Sequence, residues 1–198
     1  MKPTKPKIFG LILAGGSSRR MGQDKALLDF HGVAQIEYIY QLLEKSCAKV
    51  YLSKRADQQG YKDIASINDS HEFTAKGPLG GILSAMKEFP EVSWIVLACD
   101  LPFVTEETIQ TLISNRDPLK IATAFTSSYD NLPEPLCAIW ENHGYTSILK
   151  LFQEGIQCPR KVLIKSNTRL ISPKDAHWLD NINTPEDLEA LKHLKTRS

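Results

Sequence analysis

The residues best equipped for chemistry lie in one string, Gly15-Gly16-Ser17-Ser18-Arg19-Arg20-Met21-Gly22-Gln23-Asp24-Lys25, directly behind the apolar run Lys7 to Leu13. Glycines let main-chain N–H groups approach a bound anion, hydroxyls add donors, and cations neutralise charge, so the string holds the parts of a triphosphate cradle. An isolated Gly-Gly pair would instead be read as a tight turn, with Arg19, Arg20 and Lys25 as ordinary solvated charges. It is not a P-loop, because no Lys-Ser or Lys-Thr follows Gly22, and G-x-G-x-x-G is missing too. Two further places set polar or glycine residues close to such runs. One is Gly77-Pro78-Leu79-Gly80-Gly81; the other is Asp100, in Cys99-Asp100-Leu101-Pro102. A carboxylate at Asp100 can hold Mg²⁺ against phosphates, a cation for which one protein carboxylate is typical. Taken alone, an aspartate before a turn is more often a cap.

In open α/β sheets, ligands bind beyond the carboxyl ends of strands, so the elements around these places matter. Lys7 to Leu13 reads as a doubly covered parallel strand and the central one of the sheet. Ala34 to Lys45 places Ile36, Ile39, Tyr40 and Leu43 at helical spacing, and Lys49 to Ser53 then reads as a second strand. Next come Ile64 to Asn68, a glycine turn at Gly77 to Gly81 opening a helix through Met86, and the strand Trp94 to Cys99. Thr105, with Glu106, Glu107 and Thr108 behind it, predicts an N-capped helix to Asn115. Lys120 to Phe125 and Leu136 to Trp140 read as strands, Tyr145 to Gln153 as a helix, Lys161 to Lys165 as a short segment, and a strand falls near Leu170. A last helix is signalled by Thr184 as cap, Pro185, Glu186 and Asp187 in its first turn, and the stripe Leu188, Leu191 and Leu194. The alternation predicts a single-domain, three-layer α/β/α Rossmann-like fold with a mostly parallel central sheet, spanning residues 1–198 with 1–6 as a flexible tail.

Bulk properties narrow the function. With 198 residues the chain can bury one substantial core, and a formal net charge of +1 leaves no broad electrostatic footprint for nucleic acid. Apolar stretches stay short of the ~18 residues needed to span a bilayer, and the basic N-terminus lacks the apolar region of a signal peptide, so no membrane association is expected. Cys47, Cys99, Cys137 and Cys158 form no C-x-x-C pair, which fits a reducing, cytoplasmic setting. His31, His71, His143, His177 and His193 are scattered without metal spacing and no Ser/His/Asp order favours hydrolysis; they are expected at the surface or in loops.

The whole string from Leu11 to Leu28, LILAGGSSRRMGQDKALL, resembles the LAGG-x-S-x-R-M-G-x-D-K signature of nucleoside-triphosphate transferases that include the molybdenum cofactor guanylyltransferases, the molybdopterin-guanine dinucleotide biosynthesis protein A family. Every specified position matches. The Gly77 string resembles that family's G-P-L-A-G loop, Cys99 to Pro102 its C-D-x-P motif, Pro133-Glu134-Pro135-Leu136 a segment near the acceptor, and Asn181 to Glu186 its N-x-N-T-P-E motif. The resemblance implies a nucleotidyltransferase fold in which Leu13, Ala14, Gly15 and Gly16 contact the nucleotide. Arg20 and Lys25 would neutralise phosphate, with Arg19 a spacer, while Asp24 either orients Lys25 or only stabilises the loop. Asp69 aligns with a guanosine-contacting aspartate, Gly77 and Gly81 with glycines along the nucleoside, and Asp100 with the Mg²⁺ ligand. Asn181 and Asn183 would orient the acceptor or a metal-bound water, although helix entry also accounts for Asn183. Ser53 departs from the pattern, since some members carry asparagine there.

The implied reaction is attack by the terminal phosphate of molybdopterin, carrying its metal, on the α-phosphorus of GTP. A phosphate nucleophile is already largely ionised at neutral pH, so no protein base is needed. Molybdenum cofactor insertion proteins and apo-molybdoenzymes are candidate protein partners, and a monomer or weak assembly is expected. The competing readings are a cytidylyltransferase for the same pterin, whose relatives tend to carry LAAG, and a sugar-1-phosphate nucleotidyltransferase, usually longer. A non-catalytic nucleotide-binding adaptor is a further reading, against which Lys25 and Asp100 count.

Overall fold

Side-chain alternation along continuous apolar runs decides this architecture, because a strand covered on both faces needs apolar residues at every position. The computed structural model describes residues 7–14, 25–55, 58, 60–61 and 63–181. The strands are β1 (Ile8–Leu13), β2 (Val50–Lys54), β3 (Ser66–Asn68), β4 (Ser93–Ala98), β5 (Ala122–Thr126), β6 (Pro133–Trp140) and β7 (Thr168–Ile171). The helices are α1 (Gln35–Glu44), α2 (Gly77–Glu88), α3 (Glu106–Ser114), α4 (Tyr145–Gln153) and α5 (Pro159–Lys165). One sheet runs in the order β3-β2-β1-β4-β6-β5-β7. Among these strands β6 alone runs against the rest, pairing antiparallel with both β4 and β5.

Phe9, Leu11 and Leu13 of β1 point into one core with Trp94 and Val96 of β4 and Ala138 and Trp140 of β6, covered by α2, α4 and α5. Ile12, Ile95, Leu97, Cys137 and Ile139 point the other way, against Ile36, Ile39 and Leu43 of α1, Ile109 and Leu112 of α3, and Trp178. The expected three-layer, mostly parallel fold is therefore observed. Its helices owe more to burial than to propensity: α1 has no side-chain cap but buries Ile36, Ile39, Leu42 and Leu43, whereas α3 also carries the expected cap, Thr105 and Thr108 forming a reciprocal box. At Gly10 a Cβ would stand 3.0 Å from Leu43 Cδ1, so glycine lets α1 settle onto the sheet.

Several expected boundaries move. The string Gly77 to Gly81 is not a turn before a helix but the first turns of α2 itself, with Pro78 near its start, where a missing N–H costs nothing. Strand β6 begins at Pro133 rather than Leu136, and the short segment Lys161 to Lys165 is the body of α5, opened by Pro159. Strand β3 begins at Ser66 rather than Ile64. Gly15, Gly16, Arg20 and Asn183, the tail 1–6 and the expected last helix lie outside the described residues.

Candidate functional site

Parallel register brings the ends of four strands to one edge. Leu13 is paired with Ser53 of β2 on one side and Ala98 of β4 on the other, and Lys54 is paired with Asn68 of β3. Ala14, Asp69 and Asp100 therefore leave the sheet side by side, and main-chain bonds fix the exits. Cys99 N–H donates to Leu13 O at 3.2 Å, and Asp69 N–H to Lys54 O at 2.9 Å. Ala14 precedes the glycine and cation string in the sequence, and Lys25, its last residue, begins a short 3₁₀ turn, Lys25–Leu27.

On the β2–β3 side the expected nucleoside residues converge. Ser53 is buried, and its hydroxyl donates to Asp69 Oδ1 at 3.5 Å. Burial pushes the Asp69 carboxyl above its ordinary range, opposed by the Ser53 hydroxyl and by the charge of Arg55. Gly81 lies against this pair; a Cβ there would collide with Ser53 Oγ and crowd Leu13 Cδ2 at 3.3 Å. Gly77 serves another need, since its φ of +64° lies in the left-handed region. A Cβ at Gly80 would meet Phe73 O at 2.5 Å, while Ser84 Oγ accepts from Ser70 N–H at 2.8 Å and so ties the residue after Asp69 to α2. Ser53, the departure from the family pattern, thus lies between Asp69 and Gly81.

On the β4–β6 side stands a second group. Because β6 runs antiparallel, its first residues overhang the end of β4, and Glu134 lies near Asp100. Burial pushes the Glu134 carboxyl up and the charge of Asp100 adds to it, while Leu136 N–H and Arg160 oppose it. Glu134 Oε1 accepts from Leu136 N–H at 3.1 Å and Oε2 from Arg160 at 2.8 Å. Arg160 also reaches Asp130 at 3.1 Å, and the Leu132 N–H heads the causes that hold the Asp130 carboxyl below its ordinary range. Farther out, Asp180 accepts from Tyr129 at 2.9 Å and from His177 Nδ1 at 2.7 Å. The hydrogen bond to Asp180 and its charge push the His177 imidazole up, and the bonds from Tyr129 and His177 to Asp180 join the β5–β6 hairpin to the loop on which Asn181 stands exposed.

These oxygens fit a hard cation. Among the described residues no group of three or more His, Cys, Asp or Glu could hold a metal. Crowded carboxylates at an open edge instead suit Mg²⁺, which keeps waters and takes phosphate oxygens as its other ligands. The structure brings together Leu13, Ala14, Asp69, Gly77, Gly81 and Asp100 at one edge, with Asn181 on a loop tied to the neighbouring hairpin. The sequence marked Glu134 only as part of a segment near the acceptor, with no role of its own, and passed over Arg160. The signal available for Glu134 was an ionisable residue held between two prolines inside a strand.

Residues 10–170 match the family model of the MobA-like NTP transferase domain. The chain belongs to that family. A molybdenum cofactor biosynthesis bifunctional protein of Synechocystis sp. is 37% identical over 183 residues, which are 91% of this chain but 52% of that protein. The chain thus spans about half of that relative. A protein of Bacillus cereus named "Probable molybdenum cofactor guanylyltransferase" is 30% identical over 198 residues, 95% of this chain and 98% of its own. The crystal structure of molybdopterin-guanine dinucleotide biosynthesis protein A from Archaeoglobus fulgidus superposes with a TM-score of 0.77 at 24% identity, over 96% of this chain and 100% of that one, a likeness of fold. In this MobA-like chain no helix of the described residues is long and apolar enough to cross a membrane.

Proposed function

We propose that the chain transfers GMP from GTP to the terminal phosphate of metal-carrying molybdopterin, forming the guanine dinucleotide cofactor and releasing pyrophosphate. One observation carries the reading: in a MobA-like chain, a carboxylate held by Ser53 beside Gly81 shares an edge with the paired carboxylates Asp100 and Glu134. In the reaction an acceptor phosphate oxygen bonds to the α-phosphorus, the bond from that phosphorus to the bridging oxygen breaks, and pyrophosphate leaves with the electron pair. Asp69 supplies acceptors that suit the N1–H and amino group of guanine. Leu13, Ala14, Gly15 and Gly16 offer main-chain groups to the nucleotide, and Gly77 and Gly81 keep its path clear of side chains. Arg20 and Lys25 hold the phosphates in line, and Asn181 and Asn183 face the acceptor. Asp100 is the metal ligand in this reading, with Glu134 beside it; Mg²⁺ there would neutralise charge on the phosphates as pyrophosphate departs. The work of the protein is then positioning and charge stabilisation.

All four cysteines are free, which supports a reducing cytoplasm as the place of action, and the chain is taken to act as a monomer. The test is pyrophosphate release with each nucleoside triphosphate, with and without molybdopterin. Turnover with GTP is expected; turnover with CTP instead would move the assignment to a cytidylyltransferase, and binding without turnover to a carrier. Lys25→Ala and Asp100→Ala should each lose activity by at least about 10³-fold while melting like the parent. Near-parental activity in either variant would sink the reading.

A further inference from the structure

Three side chains from one short segment grip the turn that carries Asp100. His31 Nε2 donates to Pro102 O at 2.8 Å, Gln35 Nε2 to Leu101 O at 3.3 Å, and Tyr38 Oη to Val104 O at 3.1 Å. The His31 and Tyr38 rings stack with centroids 3.6 Å apart and planes 13° off parallel, so the two outer contacts brace each other. The segment itself is anchored: Asp29 Oδ1 accepts from His31 N–H at 3.1 Å and Gly32 N–H at 2.6 Å, and Gln35 N–H donates to Leu28 O at 2.8 Å. On the far side of the turn, Cys99 is tied to Leu13 O and Thr105 begins the capped α3.

Gln35 shows that this is more than packing. It is fully buried at the start of α1, and its Oε1 has no hydrogen-bond partner. A buried amide with one polar group unsatisfied costs stability that a leucine would not. Its single side-chain bond goes to the carbonyl of Leu101, next to Asp100. We infer that His31, Gln35 and Tyr38 are positioning residues that clamp the Asp100 turn at the place where it meets a nucleotide-bound divalent cation, and so join that turn to the segment that follows the cation string in the sequence. The inference rests on the proposed function only in taking Asp100 as the carboxylate that holds the cation.

The test is Mn²⁺ binding, read by electron paramagnetic resonance, to the full chain with α,β-methylene-GTP. It is paired with Mg²⁺ titration of pyrophosphate release from GTP in the presence of molybdopterin. The double variant His31→Ala/Tyr38→Phe should weaken Mn²⁺ binding about tenfold and raise the Mg²⁺ half-saturation alike, with each single variant giving about threefold. Analogue affinity without metal should stay unchanged, kcat should return at saturating Mg²⁺, and His31→Gln, which keeps an N–H donor, should recover most of the effect. If the double variant does not fold, Tyr38→Phe, which removes one hydroxyl, carries the measurement. Unchanged Mn²⁺ affinity in a folded variant, or a kcat deficit that Mg²⁺ does not restore, would overturn the clamp. If the parent shows no GTP turnover yet the variants still lose Mn²⁺, the clamp stands and the proposed reaction falls. Turnover with indifferent Mn²⁺ binding is the reverse.

Discussion

Strand β6 has a buried glutamate at each end, and each meets an arginine, but the two pairs are built differently. At the end away from the site, Glu141 and Arg116 are 0% and 3% exposed and meet through two bonds of 2.7 Å, Nε to Oε1 and a terminal nitrogen to Oε2. Ser93 closes the group, accepting from Arg116 at 3.0 Å and donating to Glu141 at 2.6 Å. At the site end, Glu134 takes a single bond from an Arg160 that is 34% exposed and shared with Asp130, while Asp100 acts on Glu134 from the other side. One end matches one carboxylate to one guanidinium in fixed fork geometry. At the other, Arg160 is shared between Glu134 and Asp130, and the charge of Asp100 bears on Glu134 as well. The fork lies at the end of β6 away from the strand-end edge, and the shared pair lies at that edge, where the chemistry is proposed.

The sharpest way to break this contrast is to open the closed end. Glu141→Ala leaves Arg116 buried without its partner and should cost about 3–5 kcal/mol, seen as a fall in the urea midpoint. Arg116→Met combined with Glu141→Leu should regain much of that loss, because well-packed apolar groups often replace a buried pair at little cost. Activity per folded molecule should not change in either variant. A stable Glu141→Ala protein with altered Mg²⁺ dependence would mean that the two ends are coupled and that the division between scaffold and chemistry is wrong.

The sequence made the open end far more legible than the closed one. Glycine strings and an aspartate after apolar runs mark a ligand edge because backbone approach and charge at strand ends leave local traces, and Leu13, Ala14, Asp69, Gly77, Gly81 and Asp100 all reach that edge. Arg116 and Glu141 leave no such trace: 25 positions apart, they look like surface charges until β6 turns antiparallel and sets one beside the other. The direction of β6 was equally hidden, since its apolar run reads the same either way. That direction is what places Glu134 near Asp100. His31 was expected at the surface or in a loop, and it lies in a loop, but its bond to Pro102 spans 71 residues and no local pattern records it. The glycines of α2 were read as a turn because glycine disfavours helix interiors; close approach of Phe73 and Ser53 overrides that preference.

A smaller effect tests the electrostatics of the open end. Burial and Asp100 raise the Glu134 carboxyl, so the folded chain binds its proton more readily than the unfolded chain does. The stability this contributes is fully present below the unfolded value of about 4.5 and is lost as pH rises through the higher folded value. Compared with Glu134→Gln, which cannot titrate, the parent should therefore gain relative stability as pH falls from 7 to 4, followed by urea unfolding at each pH. A parent that loses ground on acidification would show that the Arg160 bond outweighs burial, and Glu134 would then resemble Glu141 after all.

The smallest effect separates burial beside Asp100 from mere ion pairing. Lys45 and Glu106 lie 2.6 Å apart but are 56% and 54% exposed, and Glu106 sits in the first turn of α3, immediately beyond the turn of Asp100. An exposed pair gains little in water and loses side-chain entropy, so a double-mutant cycle over Lys45→Ala and Glu106→Ala should give a coupling of about 0.5 kcal/mol or less, fading with added salt. Mg²⁺ dependence should not move. Were this pair strongly coupled, or were its loss felt in cation binding, distance to the Asp100 turn would be the governing variable. Weak coupling without a metal effect leaves the burial of Glu134 beside Asp100, rather than nearness of any ion pair to the Asp100 turn, as what distinguishes the site from the rest of the charged surface.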